Sequence, residues 1–277
     1  MKKILFTDLD GTLLNNRSQI DEEMKQALRE MTLKGHYLVL SSGRPLDSIL
    51  EVKRLAGIDF PNVYIIGSNG AIIYNCDTKK NIHEIRVSYE DVINIWNFAK
   101  KHNVHVQTYT SDSIITATED EEIAYYRQRI HLPLILNDAP WEILNQPPHK
   151  LLMIDLHDHT RIAGIQSQLE STYGDRLQTV FSNPYYLEVF AKDAGKGNSL
   201  RYLCDYLEIP LTDSYAAGDA ENDLSMLQSA GTAIVMCNGT DELKKYADII
   251  TKRSNDECGL ADIIYEYILT ERKSTPT

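Results

Sequence analysis

Both ends of this 277-residue chain alternate short apolar runs with amphipathic stretches, while its middle follows another rhythm. That contrast restricts the fold more than any single motif. Near the N-terminus, Lys3 to Leu9 reads as a strand. Ile20, Met24, Ala27, Leu28 and Met31 fall at helical spacing, with Gly35 placed to end the helix. Tyr37 to Leu40 reads as a second buried strand. Pro45 suits the first turn of a helix running to about Ala56, and Val63 to Ile66 is a third strand. Strand, helix, strand, helix, strand implies right-handed crossovers and a parallel sheet. The rhythm returns late. Lys196 to Leu207 is helical, Ser214 to Ala217 is a strand ending at Gly218, and Asn222 to Ala230 is a helix. Thr232 to Met236 is a strand, and Asp241 to Tyr246 and Gly259 to Leu269 are helices.

The middle pairs strands around helices. Ser88 with Asp91 resembles a capping box before a helix to about Lys101. Val104 to Tyr109 and Ile114 to Ala117 read as paired strands, and Glu119 to Arg129 as a helix. Lys150 to Leu156, a helix from Ile162 to Tyr173, and strands Leu177 to Phe181 and Tyr186 to Phe190 complete the block. The expected fold is α/β, a Rossmann-like parallel-sheet core with an inserted α+β domain that contains an antiparallel sheet. The core takes residues 1–83 and 189–270, the insert 84–188, and 271–277 is expected to be a flexible tail.

Composition narrows the function. Lys and Arg number 28 against 40 Asp and Glu, a formal charge of −12. Nucleic acid is therefore not an expected partner, because phosphate-backbone contacts need clustered cations. A small anionic substrate stays possible, since a site can be locally positive in an acidic protein. No apolar stretch approaches the roughly 18 residues of a membrane helix, and Ile4-Leu5-Phe6 is too short for a signal-peptide core. The expectation is a cytoplasmic chain, monomeric or homodimeric, with no membrane partner. Cys76, Cys204, Cys237 and Cys258 lie far apart without a CxxC, which disfavours zinc ribbons and disulfides. Asn16-Arg17-Ser18 and Asn238-Gly239-Thr240 match a glycosylation sequon by chance.

The chemistry-bearing segments end predicted strands. Asp8-Leu9-Asp10-Gly11-Thr12 closes the first, at the edge where open α/β sheets place ligands. On a regular strand, Asp8 and Asp10 face one side, and two neighbouring carboxylates favour a bound cation or a shared proton. An Asp-Gly turn explains Asp10 but not an acid at Asp8. An EF-hand fails, because Leu13 and Gln19 stand where Gly and Glu are required. A phosphate loop at Gly195-Lys196-Gly197 also fails, lacking the earlier Gly and the following Ser or Thr. Gly218-Asp219 through Asn222-Asp223 again follows a strand and opens a helix. Helix capping explains these acids singly, but paired with Asp8 and Asp10 they make an oxygen-ligand Mg²⁺ site. Ser41-Ser42-Gly43-Arg44 precedes a helix, which is a natural anion site or simply a Ser cap. Lys196 opens a helix against its dipole, which suggests that it neutralises something.

These segments follow one another in the order of the four motifs of haloacid dehalogenase-like hydrolases. Their placement resembles the Cof-type sugar-phosphatase subfamily, as does Ser68-Asn69-Gly70-Ala71 after the third strand. The resemblance runs from residue 4 to about 268, with the insert as a cap; Ser42 stands where Thr is commoner. It implies a Mg²⁺-dependent phosphatase of small phosphorylated metabolites. Asp8 would be the nucleophile that forms an aspartyl-phosphate, and Asp10 the general acid and base, held by Thr12. Ser42, Gly43, Lys196, Asn222, Asn69 and the Leu9 amide would bind the phosphoryl group. Arg44 would serve that group or brace the cap. Mg²⁺ would be held by Asp8, the Asp10 carbonyl and Asp219, with Asp223 orienting its other ligands. The cap would close over the site and set specificity. A phosphomutase of the phosphomannomutase type and a non-catalytic sugar-phosphate-binding regulator are the alternatives. His157-Asp158-His159 reads as a polar turn. Trp96 reads as core, and Tyr125, Tyr126, Tyr185 and Tyr186 as aromatic packing.

Overall fold

The computed structural model describes residues 2–110, 112–128, 130 and 132–270. From the N-terminus come β1 (Ile4–Thr7), α1 (Glu22–Leu33), β2 (Tyr37–Ser41), α2 (Leu46–Leu55), β3 (Val63–Gly67), β4 (Ile72–Asn75) and β5 (Lys80–Glu84). The middle holds α3 (Tyr89–Lys101), β6 (His105–Tyr109), β7 (Ile114–Thr116), α4 (Glu121–Tyr126), β8 (Leu134–Leu136), β9 (Lys150–Ile154), α5 (His159–Tyr173), β10 (Leu177–Asn183) and β11 (Tyr186–Ala191). The last part holds α6 (Lys196–Tyr206), β12 (Ser214–Gly218), α7 (Leu224–Leu227), β13 (Thr232–Val235), α8 (Asp241–Lys244), β14 (Ile249–Ile250) and α9 (Gly259–Ile263).

Two compact units result: one takes in Met1–Ile82 and Gly195–Thr277, the other His83–Ala194. The first is built on a sheet of order β14-β13-β12-β1-β2-β3-β4-β5. From β14 to β3 neighbouring strands are parallel, and β4 turns back antiparallel to β3. Its central strands are apolar without alternation because both faces are covered. Leu5, Leu38 and Leu40 pack with Met24, Ala27, Leu28 and Met31 of α1 on one side. Ile4, Phe6 and Val39 pack with Leu200, Leu203 and Cys204 of α6 on the other.

The second unit carries a sheet of order β10-β11-β9-β6-β7-β8, antiparallel except for the β7–β8 pair. Ser88 caps α3 by accepting the Asp91 amide at 3.1 Å and donating to its carboxylate at 2.8 Å. That helix buries Val92, Ile95, Trp96 and Ala99 against the sheet. The α/β core with a second, largely antiparallel sheet is the fold class expected from the pattern.

Several details differ. β1 ends at Thr7, two residues early, because the chain leaves the sheet as soon as Asp8 is in place. The β4–β5 hairpin, β8 and β14 carry short or mixed patterns that gave no strand signal. The helix expected at Asn222–Ala230 shrinks to a single 3₁₀ turn, Glu221–Asp223, and the short α7. The last helix changes to a π-turn over Ile264–Ile268. Residues 189–194, read as core from sequence, belong to the second unit, because β11 runs on to Ala191 in register with Leu177 of β10. Arg129 and the tail at 271–277 lie outside the described residues.

Candidate active site

Parallel pairing brings distant residues to one edge. Thr7 of β1 stands beside Ala217 of β12 and Leu40 of β2, so Asp8, Asp219 and Ser42 all emerge at the same C-terminal edge. The Asp8 amide continues the ladder by donating to the Ala217 carbonyl at 3.0 Å. β3 delivers Ser68-Asn69-Gly70 to that edge too, with Asn69 in the left-handed region at φ 57°. Gly70, at φ +93°, lies against the start of α6; a Cβ there would fall 2.4 Å from the Gly195 carbonyl. Ser199 of α6 donates to the Gly70 carbonyl at 2.8 Å, which ties the loop to that helix.

The start of α6 projects Lys196 between two acids. Its Nζ lies 2.6 Å from Asp8 Oδ1 and 2.6 Å from Asp223 Oδ1, and all three side chains are buried. Asp223 Oδ2 accepts the amides of Asp219 and Ala220 at 3.1 and 3.4 Å. Thr12 donates its hydroxyl to Asp219 Oδ1 at 2.7 Å. Gly11 takes φ +82° beneath Asp219, where a Cβ would meet the Asp219 carboxylate at 2.4 Å.

A family model described as haloacid dehalogenase-like hydrolase matches residues 5–264. The chain belongs to the haloacid dehalogenase-like hydrolases. Among relatives of this hydrolase, Phosphatase YwpJ of Bacillus subtilis is 27% identical over 285 residues, covering 95% of this chain and 98% of that one. Another Bacillus subtilis protein, 5-amino-6-(5-phospho-D-ribitylamino)uracil phosphatase YcsE, is 28% identical over 268 residues, 96% of each chain. The crystal structure of a haloacid dehalogenase-like hydrolase from Bacteroides thetaiotaomicron superposes with a TM-score of 0.83 at 28% identity, over 96% of this chain and 99% of that one.

The site of this hydrolase is short of positive charge. Burial pushes the Asp8 carboxyl well above its ordinary range; Lys196 pulls it down and Asp223 pushes it further up. Asp219 is raised to about 6, first by burial and then by Asp223, against the Thr12 hydrogen bond and Lys196. Burial alone would lower Lys196, but the Asp223 and Asp8 carboxylates outweigh it and hold the ammonium above its usual value. Carboxylate oxygens of Asp8, Asp219 and Asp223 lie within 4.8 Å of one another. Three acids share one ammonium here, and hard oxygen donors in that number fit a Mg²⁺ ion. Asp223 has both oxygens engaged by Lys196 and backbone amides, so Asp8 and Asp219 are the natural ligands.

Asp10 stands apart from this cluster. Its carboxylate is about half exposed and is gripped by Arg44, with Nε and Nη2 at 2.9 and 2.6 Å. Two expectations change here. Asp8 and Asp10 do not share a strand face, because Asp10 is already in the loop beyond β1. Thr12 holds Asp219 rather than Asp10, because the turn at Gly11 carries it across to the β12 edge. Ser42 is buried, its amide bonded to the Ile66 carbonyl and its Oγ accepting from the Arg44 amide at 3.2 Å across Gly43. Leu9 buries its side chain in the core, and Asn222 is half-buried beside Asp223.

Sequence reading missed Asn238, whose side chain donates to the Gly11 carbonyl at 2.8 Å. The available signal was its place just past β13, another parallel strand ending at this edge. Elsewhere, Asp158 caps α5 and His157 bonds Glu121 at 2.7 Å, as suits a polar turn. All four cysteines are free thiols. No helix among the described residues is long and apolar enough to cross a membrane.

Proposed function

We propose that this hydrolase is a Mg²⁺-dependent phosphatase of small phosphomonoesters. The buried Asp8–Lys196 pair beside Asp219 carries the reading. An acid kept in a site that opposes its charge is expensive as structure alone. As a nucleophile it is apt, because a reacting phosphoryl group needs an oxygen and nearby positive charge.

In the first step an Asp8 carboxylate oxygen bonds to phosphorus while the bond from phosphorus to the ester oxygen breaks. Asp10 gives the departing oxygen a proton and is left as a carboxylate. In the second step Asp10 takes a proton from water as the water oxygen displaces Asp8, which releases inorganic phosphate and restores the carboxylate. Lys196 holds Asp8 in place and offers charge to the phosphoryl oxygens, with Ser42, Gly43, Asn69, Asn222 and the Leu9 amide as further donors. Arg44 fixes the Asp10 carboxylate between steps. Asp8 and Asp219 would hold Mg²⁺, with Asp223 fixing the Asp219 backbone, and the ion would supply charge against the substrate's phosphate.

A relative named for a phosphorylated ribityl compound supports the small-metabolite class. The test is a panel of sugar, polyol and nucleotide phosphomonoesters, with phosphate release measured with Mg²⁺ and after chelation. Release that needs Mg²⁺ and vanishes in Asp8→Asn is expected. Undiminished release after chelation, or wild-type turnover in Asp8→Asn, refutes the mechanism. Isomerised sugar phosphate without net release makes the protein a phosphomutase instead.

A further inference from the structure

The loop that carries Asp10 and Thr12 is tied down by residues far along the chain. It turns sharply after β1: the amides of Leu13 and Leu14 both donate to the Leu9 carbonyl, at 3.1 and 2.8 Å. The carbonyls of Gly11 and Leu14 find partners outside the loop. Asn238 Nδ2 donates to the Gly11 carbonyl at 2.8 Å, and Asn255 Nδ2 donates to the Leu14 carbonyl at 2.9 Å. The Asn255 amide donates to Asn238 Oδ1 at 3.1 Å, so the two asparagines bond each other as well as the loop. Two residues past Leu14 and one past Asn255, the Asn16 amide donates to Asp256 Oδ1 at 2.7 Å.

Asn238 is itself anchored to the other side of the site. The turn after β13 is pinned by the Met236 amide on the Gly218 carbonyl at 3.0 Å and the Thr240 amide on the Asp219 carbonyl at 2.9 Å. The brace therefore connects the backbone around Asp219 with the loop that holds Asp10 and Thr12. The two braced carbonyls flank Thr12, whose hydroxyl already meets Asp219. Small displacements of reacting groups lower rates steeply, so a loop held from both sides has kinetic value.

We infer that Asn238 and Asn255 are positioning residues, which hold the Asp10–Leu14 loop so that Asp10 and Thr12 keep their places relative to Asp8 and Asp219. The inference rests on the phosphatase reading.

Asn238→Asp is the informative variant. It keeps the shape and can still accept the Asn255 amide, but it has no donor for the Gly11 carbonyl. Loss of one such hydrogen bond predicts a fall in kcat of about tenfold. KM should stay within about twofold, because Ser42 and Lys196 are untouched. Asn255→Asp should behave alike. Hydrogen exchange, followed by mass spectrometry over residues 8–16, should quicken in Asn238→Asp while α1 and β6 exchange as in the wild type. An unchanged kcat, or a raised KM with kcat intact, overturns the positioning role. Unchanged exchange over residues 8–16 overturns the brace itself. Wild-type protein that releases phosphate from no ester overturns the phosphatase reading and, with it, the kinetic consequence, while the exchange result still decides the brace.

Discussion

Lys196→Met removes the ammonium between Asp8 and Asp223 and leaves a side chain of similar length. The three groups are 2%, 6% and 0% exposed, and both ion-pair distances are 2.6 Å. Without the ammonium, two buried carboxylates face each other unpaired. Breaking a buried pair in this way costs about 3–5 kcal/mol, a large share of the stability of a typical domain. With a urea slope of about 2 kcal/mol per molar, the midpoint should fall by roughly 2 M. Trp96 and Trp141, the chain's two tryptophans, belong to the second unit. Their fluorescence therefore serves as a control that should move little, while far-UV circular dichroism follows the loss in the first unit. Turnover should drop by about a hundredfold or more, because Asp8 loses the charge that favours its ionised form and the phosphoryl oxygens lose a donor. A midpoint shift below about 0.5 M, or turnover within about tenfold of the wild type, would refute the view that Lys196 neutralises both acids.

Other outcomes follow from the same geometry. Asp219 is raised from 3.8 to about 6, so the folded chain keeps its proton over a range where the unfolded chain has lost it. Without Mg²⁺, the stability contributed by this group is full below about pH 4 and falls as pH rises to about 6, by on the order of 2–3 kcal/mol. A thermal-melting series in chelator that rises through this window contradicts the assignment. Since Asp219 must lose its proton to bind a cation, the Mg²⁺-induced rise in melting temperature should be small at pH 5 and full at pH 8. Gly11→Ala forces a Cβ into φ +82° and within 2.4 Å of the Asp219 carboxylate. It should cost about 1–3 kcal/mol and weaken Mg²⁺ binding at least tenfold by calorimetric titration. Arg44→Ala frees Asp10 and should lower kcat by about tenfold with the melting temperature nearly unchanged, because the pair is partly exposed.

Sequence alone reached the elements whose signals are local. The 3.6-residue spacing of Met24, Ala27, Leu28 and Met31 marks α1 because one face must be apolar to pack, whatever it packs on. The unbroken apolar runs of β1, β2 and β3 mark strands covered on both faces. Ser88 caps α3 through contacts three residues apart, which any reader of the sequence can foresee. The motif order also made Asp8, Lys196, Asp219 and Asp223 stand out before any geometry was known. What tertiary structure decided is which atoms meet. Lys196 and Asp8 are 188 residues apart, Thr12 and Asp219 are 207, and Asn255 and Leu14 are 241. No periodicity encodes such pairings, because they depend on the parallel register that sets β1 beside β12 and on a turn at Gly11 that sends Thr12 to one acid and leaves Asp10 to Arg44. Chemistry of this kind is written into residue types along the chain, but its geometry exists only once the sheet edge has gathered them.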